Sequence, residues 1–203
     1  MTLENKLEIT DSTLLARTEE ELSKAAAVRL YDCGLLDVLT PGTYQTLAVI
    51  HRTLFEKIYD FAGEMRHVNL SKGNFRFAPV MYLEAAVEKI EQMPQLTFDE
   101  IVEKYVEMNV AHPFREGNGR AARIWLDQIF KKELGVVVDW SLIDKDDYLL
   151  AMERSPVRDT EIKHLLKHAL TDRIHDRELF MKGIDRSYDY EGYSAFRAEN
   201  LKG

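Results

Sequence analysis

A twelve-residue stretch, His112-Pro113-Phe114-Arg115-Glu116-Gly117-Asn118-Gly119-Arg120-Ala121-Ala122-Arg123, constrains the fold of this chain more than any other part of it. It stands between two runs of helical periodicity. Upstream, Thr97-Phe98-Asp99-Glu100 has the form of a capping box, in which a threonine and a glutamate three residues later satisfy each other's backbone N–H groups. Ile101, Tyr105 and Met108 then recur at helical spacing, which predicts a helix ending between Asn109 and Ala111. Downstream, the helix formers from Arg120 to Lys132, with Ile124, Trp125, Leu126 and Ile129 as the apolar face, predict a second helix from about Asn118. The stretch is a loop held between two helices.

Its residue types suit one kind of chemistry. Gly117 and Gly119 let the backbone turn its N–H groups into the loop at the positive end of the following helix, an arrangement that binds phosphate. Arg120 and Arg123 are three apart and adjacent on the first turn, and a guanidinium fork fits phosphate oxygens as it fits carboxylates. Glu116 adds a hard oxygen for Mg2+, which favours one or two carboxylates plus substrate phosphates. His112 carries the side chain whose unperturbed pKa lies near neutrality, so it can take a proton from an attacking hydroxyl. Together they describe nucleotidyl or phosphoryl transfer to an alcohol. Singly, each is ordinary: a histidine at a helix end complements the dipole, and paired arginines usually make a solvated face. No Gly-Lys-Ser/Thr follows and no strand precedes, so this is neither a Walker loop nor a dinucleotide fingerprint. The block as a whole favours function.

As a block it resembles the signature of Fic-domain proteins, His-x-Phe-x-Asp/Glu-Gly-Asn-Gly-Arg-x-x-Arg, with every defining position matched. The resemblance implies an all-α Fic fold of roughly eight helices with one short β-hairpin flap beside the active site. It also implies a protein adenylyltransferase that moves AMP from Mg-ATP to a Ser, Thr or Tyr hydroxyl and releases pyrophosphate. Carried over by position, His112 is the general base and Glu116 the Mg2+ ligand. Gly117, Asn118 and Gly119 cradle the phosphates, Arg120 and Arg123 hold them, and Phe114 anchors the loop in the core. Doc-type relatives carry lysine in place of the second glycine, so Gly119 argues against their kinase-like chemistry. The rival readings are transfer of another phosphate-containing group, removal of AMP, and a nucleotide-sensing module without turnover. The resemblance further implies a bacterial homo-oligomer acting on a protein target, such as a type II topoisomerase subunit.

The 203 residues fit a single domain, 1–203. A formal charge of −8 argues against a general grip on nucleic acid. The single cysteine, Cys33, can form no intrachain disulfide and reads as a small buried or helix-end residue of a cytoplasmic protein. Neither a signal peptide in Met1 to Thr10 nor a membrane span is expected.

Taken in order, residues 1–17 read as a surface arm, and Thr18-Glu19-Glu20-Glu21 as a capping box opening a helix that carries Leu22, Ala26, Leu30 and Cys33 and stops at Gly34. Thr40-Pro41 begins a helical region in which Leu47, Ile50, Leu54, Ile58 and Phe61 keep period until Gly63. The segment also resembles the one preceding the flap in Fic domains, and His51 and Arg66 within it read as structural. Met65 to Leu70 and Asn74 to Val80 alternate as strands around Ser71-Lys72-Gly73, a hairpin spanning 65–80. The resemblance makes this hairpin the flap, with Ser71, Lys72, Gly73 and Phe75 as target-binding residues. Tyr82 to Met93 predicts another helix, while Val136 to Trp140 is too short to establish a strand. Helices then follow Asp144 and Asp159 or Thr160; Tyr148 and Met152 on the first are core residues or, less often, walls of an adenine pocket. Finally, Ser187-Tyr188-Asp189-Tyr190-Glu191-Gly192 resembles the inhibitory helix some Fic proteins carry, here spanning 184–193. Ser187 and Glu191 share a face, and a carboxylate on Arg123 excludes a phosphate from it. By the same resemblance Tyr188 and Tyr190 are candidates for self-modification.

Overall fold

In a computed structural model the chain is described over residues 2–73 and 75–201; Met1, Asn74, Lys202 and Gly203 lie outside these. About 60% of it is helical. In order the elements are α1 (Ser12–Asp32), α2 (Leu35–Val38), α3 (Tyr44–Phe55), β1 (Ser71–Lys72), β2 (Phe75–Arg76), α4 (Val80–Glu91), α5 (Phe98–Ala111), α6 (Asn118–Leu134), β3 (Val137–Val138), α7 (Lys145–Arg154), α8 (Thr160–His168), β4 (Leu170–Thr171) and α9 (Arg177–Tyr190). Nine helices among the described residues agree with the all-α expectation of roughly eight. The four-residue α2 is too short to announce itself by periodicity.

The motif helix α6 is the axis. Ala121, Ala122, Ile124, Trp125, Leu126, Ile129 and Phe130 occupy every side of it and all are buried, as befits a helix surrounded by others. It packs against α3, α5 and α9. Its polar groups are answered at the ends of its neighbours: Trp125 Nε1 donates to Thr43 O at 3.0 Å and Gln128 Nε2 to Leu39 O at 2.9 Å. Asp127 accepts from Val138 N at 2.9 Å and Trp140 Nε1 at 2.7 Å. Helix α5 starts with the predicted capping box, Thr97 N donating to Glu100 Oε2 at 2.9 Å and Glu100 N to Thr97 Oγ1 at 3.3 Å.

Several boundaries differ from the sequence reading. Helix α1 begins at Ser12, capped by Asp11, whose carboxylate accepts from Leu14 N at 2.7 Å. Residues 12–17 are therefore two turns of helix and not part of a surface arm. Thr18 is interior to α1, and Glu19 and Glu20 are buried, because α3 and α9 pack on the side of α1 that they occupy. Cys33 is the C-terminal cap of α1. Helix α3 is capped by Thr43 and closes at Phe55, so Ile58 and Phe61 sit in turns although Ile58 is fully buried. The hairpin pairs Ser71 with Arg76 and Lys72 with Phe75, two residues per strand against the longer runs expected; Asn74, where the second run was to begin, lies outside the described residues. Val137–Val138 does form a strand, because Leu170–Thr171 from 33 residues away supplies its antiparallel partner. Tyr148 and Met152 are core. The predicted inhibitory segment 184–193 is the last two turns of α9 and its cap, the helix having begun at Arg177.

Candidate active site

The loop between α5 and α6 is shaped by side chains that spend their hydrogen bonds on its backbone. His112 caps α5 in the left-handed region, φ 51° and ψ 62°, which few residues other than glycine adopt. Arg66 holds that turn. Its Nε donates to His112 O at 2.7 Å, Nη2 to Ala78 O at 2.6 Å and Ala111 O at 3.1 Å, and Nη1 to Val68 O at 2.6 Å. One guanidinium thus joins the end of α5, the loop and both feet of the hairpin. Asn118 clasps the loop from the other side, accepting from Phe114 N at 2.8 Å and donating to Phe114 O at 2.7 Å. Its amide is engaged with the backbone, so Asn118 shapes the cradle rather than presenting its side chain to it.

Phe114 is fully buried and stacks on His51 at 3.8 Å between centroids. His51 Nδ1 accepts from Gly63 N at 2.9 Å, so its proton is on Nε2 and is donated to Glu116 O at 2.8 Å. Burial lowers its pKa to about 3, and it stays a neutral strut. His51 and Arg66 are both structural residues of the loop.

The His112 ring stacks on Phe77 at 3.7 Å, which ties it to the foot of the hairpin. Its Nδ1 lies 3.3 Å from Asn109 O, a carbonyl that can only accept, so Nδ1 carries the proton and Nε2 the lone pair. Burial, with help from Arg66 and Lys72, lowers its pKa to about 4 despite the opposing influence of Asn109 and Glu191. The imidazole is neutral at pH 7 and able to accept a proton.

Gly117 caps α6 at φ 75° without a side-chain cap, leaving that end of the helix open to an anion. A Cβ at Gly117 would lie 2.4 Å from the Phe55 ring. Glu116 Oε1 accepts from Gly117 N at 2.9 Å and Arg120 Nη2 at 3.1 Å, while Oε2 has no protein partner among the described residues and the side chain is 42% exposed. No cluster of three or more potential metal ligands occurs among the described residues. The donor set fits Mg2+ held by one carboxylate and the phosphates of a substrate, which is how that ion is commonly bound.

The two arginines part company. Arg123 Nη2 donates to Glu191 Oε1 and to Ser187 O, both at 2.9 Å, and Nε to Ser187 Oγ at 2.7 Å; Nη1 lies 3.3 Å from Tyr148 Oη. Burial pushes the Glu191 carboxyl up, yet Arg123 first and Arg120 second pull it down to about 2. Gly119 makes room for this contact, since a Cβ there would be 2.4 Å from Glu191 Oε1. Arg120 faces the other way, to Glu19 Oε1 at 2.5 Å, and is 1% exposed between the rings of Phe55, Tyr188 and Tyr193. Its guanidinium is divided between this buried carboxylate of α1 and Glu116 of the loop, and so is not open to a phosphate as expected of a phosphate ligand. Tyr188 and Tyr190 are 1% and 2% exposed, and their phenols are out of reach of a nucleotide while α9 is seated. Ser71, Lys72 and Gly73 are exposed on the hairpin and Phe75 is half-buried, its ring 5.2 Å from Phe77. The sequence reading missed Phe77, Glu19 and Tyr193. Phe77 lay within the predicted flap, whereas nothing local marks Glu19 as buried.

Residues 41–130 match the family model described as Fic/DOC. Among curated proteins, the chain is 27% identical over 213 residues to a protein adenylyltransferase, VbhT, of Bartonella schoenbuchensis, covering 94% of this chain and 44% of that protein. It is 28% identical over 182 residues to a probable protein adenylyltransferase, Fic, of Salmonella typhimurium, covering 84% and 88%. Among solved structures it resembles BepC of Bartonella tribocorum with bound AMPPNP, at a TM-score of 0.69 and 22% identity over 84% of this chain and 93% of that one. It also resembles the ADP-bound N-terminal Fic domain of a Bartonella quintana effector, with a TM-score of 0.68, 23% identity, and 84% and 91% covered. No helix among the described residues is long and apolar enough to cross a membrane.

Proposed function

The chain carries a Fic domain, and from that premise we propose that it is a protein adenylyltransferase, transferring AMP from ATP to a hydroxyl of a target protein, with Glu191 as its brake. The observation that carries this reading is the occupancy of Arg123: a guanidinium beside the open end of α6 donates to the chain's own carboxylate, Glu191 Oε1, at 2.9 Å. A group so placed and so filled suits an anion site under self-inhibition.

In the proposed reaction His112 Nε2 takes the proton of the target hydroxyl, and the oxygen attacks the α-phosphorus of ATP. The bond from that phosphorus to its leaving oxygen breaks and pyrophosphate departs. The open N-terminus of α6 binds the phosphates, and Arg123, once free of Glu191, orients the terminal one. Glu116 would be the protein ligand of Mg2+ brought with the nucleotide, which would supply neutralisation of charge on the leaving group. The exposed hairpin suits a target segment added along its edge by backbone hydrogen bonding, next to the Phe77 ring that backs His112. The adenylyltransferase names of the curated relatives and the nucleotides in the two solved Fic structures support the same reading. Self-modification at Tyr188 or Tyr190 requires the last turn of α9 to leave its seat.

The test is incubation with α-labelled ATP and Mg2+ of three proteins: the wild type, Glu191→Gly, and Glu191→Gly with His112→Ala. Strong labelling of protein by Glu191→Gly alone is the expected result. Transfer of γ label in place of α label overturns the chemistry, and binding of ATP without transfer by any of the three, target supplied, turns the assignment to a nucleotide-sensing module.

A further inference from the structure

Glu19 lies on α1, outside the residues that match the family, and is 2% exposed. Three donors converge on it: Arg120 Nη1 at 2.5 Å and Tyr193 Oη at 3.0 Å on Oε1, and Tyr59 Oη on Oε2. A buried carboxylate is tolerated only with such compensation. The same Arg120 reaches Glu116 through Nη2 at 3.1 Å. A guanidinium is a rigid plane, so fixing Nη1 on Glu19 fixes the direction in which Nη2 points. The faces of that plane are closed by Phe55 at 4.8 Å, Tyr188 at 5.3 Å and Tyr193 at 4.8 Å, and Nε is buried without a partner. Arg120 therefore has one free function, to hold Glu116 by Oε1 and leave Oε2 unclaimed. A glutamate exposed to 42% and not so held would sample several rotamers.

We propose that Glu19 is a positioning residue for the metal end of the site: acting through Arg120 it aims Glu116 at the cation, and Tyr193 of the segment after Glu191 holds Glu19 in turn. The inference rests on the reading of Glu116 as the ligand of a nucleotide-bound divalent cation. Four side chains, Tyr193, Glu19, Arg120 and Glu116, form one unbroken polar chain from the tail to the loop. The tail is also anchored on α1 at the next residue and one turn beyond it, where Glu20 accepts from Ala195 N at 3.0 Å and Phe196 N at 3.1 Å and Lys24 Nζ donates to Phe196 O at 2.7 Å. The segment that follows the brake thus also supports the metal ligand. Shared use of Glu19 distinguishes this from a simple core ion pair, which would end at Arg120.

The experiment measures Mn2+ binding, in place of Mg2+, by electron paramagnetic resonance with a non-hydrolysable ATP analogue present, in the Glu191→Gly chain. Nucleotide affinity in EDTA and the melting temperature are measured alongside. Glu19→Gln is expected to weaken Mn2+ about tenfold, as loss of a residue behind a metal ligand commonly does, with metal-free nucleotide affinity unchanged. Glu19→Asp recovers part of the loss, and Tyr193→Phe gives a smaller shift of the same sign. A folded Glu19→Gln that binds Mn2+ as the parent does, or that loses metal-free nucleotide affinity equally, overturns the proposal. Should Glu19→Gln not fold, Tyr59→Phe and Tyr193→Phe decide it, and unchanged Mn2+ affinity in both overturns it. A parent that binds no Mn2+ with the nucleotide, or a Glu116→Ala chain that binds it unchanged, overturns the underlying assignment of Glu116 as well.

Discussion

Replacing Glu191 with glycine tests how tightly the tail holds Arg123. The depression of its carboxyl from 4.5 to about 2 corresponds to ~3 kcal/mol of preference for the ionised, docked carboxylate. The side chain is 26% exposed, so solvent screens part of this and ~2–3 kcal/mol remains. ATP must displace that contact to seat its terminal phosphate on Arg123, so its removal should raise the initial rate of AMP transfer at subsaturating ATP by ~30- to 150-fold, at one decade per 1.4 kcal/mol. The fold should survive, because Arg123 keeps Ser187 Oγ and O and the Tyr148 hydroxyl, and position 191 caps α9 at φ −91°, which glycine adopts freely. The assay is the initial rate with α-labelled ATP, checked by intact mass for added AMP. Because the docked value lies below the free one, the restraint is whole above pH 4.5 and is lost only as pH falls toward 2. The rate ratio between variant and wild type should therefore be constant from pH 6 to 8. A ratio below about threefold, with ATP binding intact, would refute the assignment of Glu191 as the brake.

Gly119→Ala separates loss of the brake from gain of activity: its Cβ would lie 2.4 Å from Glu191 Oε1 and 2.9 Å from Arg123 Nη1, so it should evict Glu191 and obstruct phosphate together, giving no activation in the same assay. With His112 at about 4, the acid limb of kcat/KM in the Glu191→Gly chain should fall near pH 4 rather than 6.5; the buried neutral ring also makes folding stability decline as pH drops through that interval, where the unfolded chain binds more protons. Arg66→Met should leave carbonyls of Ala111, His112, Val68 and Ala78 without their donor, lowering stability by ~3–5 kcal/mol at ~1 kcal/mol or more for each unsatisfied buried acceptor, and faster hydrogen exchange in the hairpin than in α6 should report the loss.

The local parts of this fold were legible because their causes are local. Thr97 and Glu100 cap α5 as their spacing dictates, α1 ends just before Gly34, and Asp144 starts α7, since each answers orphan backbone groups within a few residues. Boundaries went astray where two signals competed. Thr18-Glu19-Glu20-Glu21 has the form of a cap, but Asp11 caps first and the helix runs through it. The two-residue strand at Val137 was invisible because its partner, Leu170–Thr171, is supplied by tertiary contact.

For the site, the sequence determined which residues stand in the loop and in what order: a histidine at the end of one helix, a carboxylate, and glycines at the start of the next. Backbone dihedrals and helix ends follow from neighbours along the chain, so that much is written locally. What the sequence could not assign was the fate of each arginine. Arg120 and Arg123 lie three residues apart on one helix and read as a matched pair, yet one is spent on Glu19, 101 residues away, and the other on Ser187 and Glu191, 64 and 68 residues away. Neighbouring positions on a central helix face different partners, and charge finds its counterpart across space, so only the packing of α1 and α9 against α6 decided which guanidinium supports the loop and which one the tail restrains.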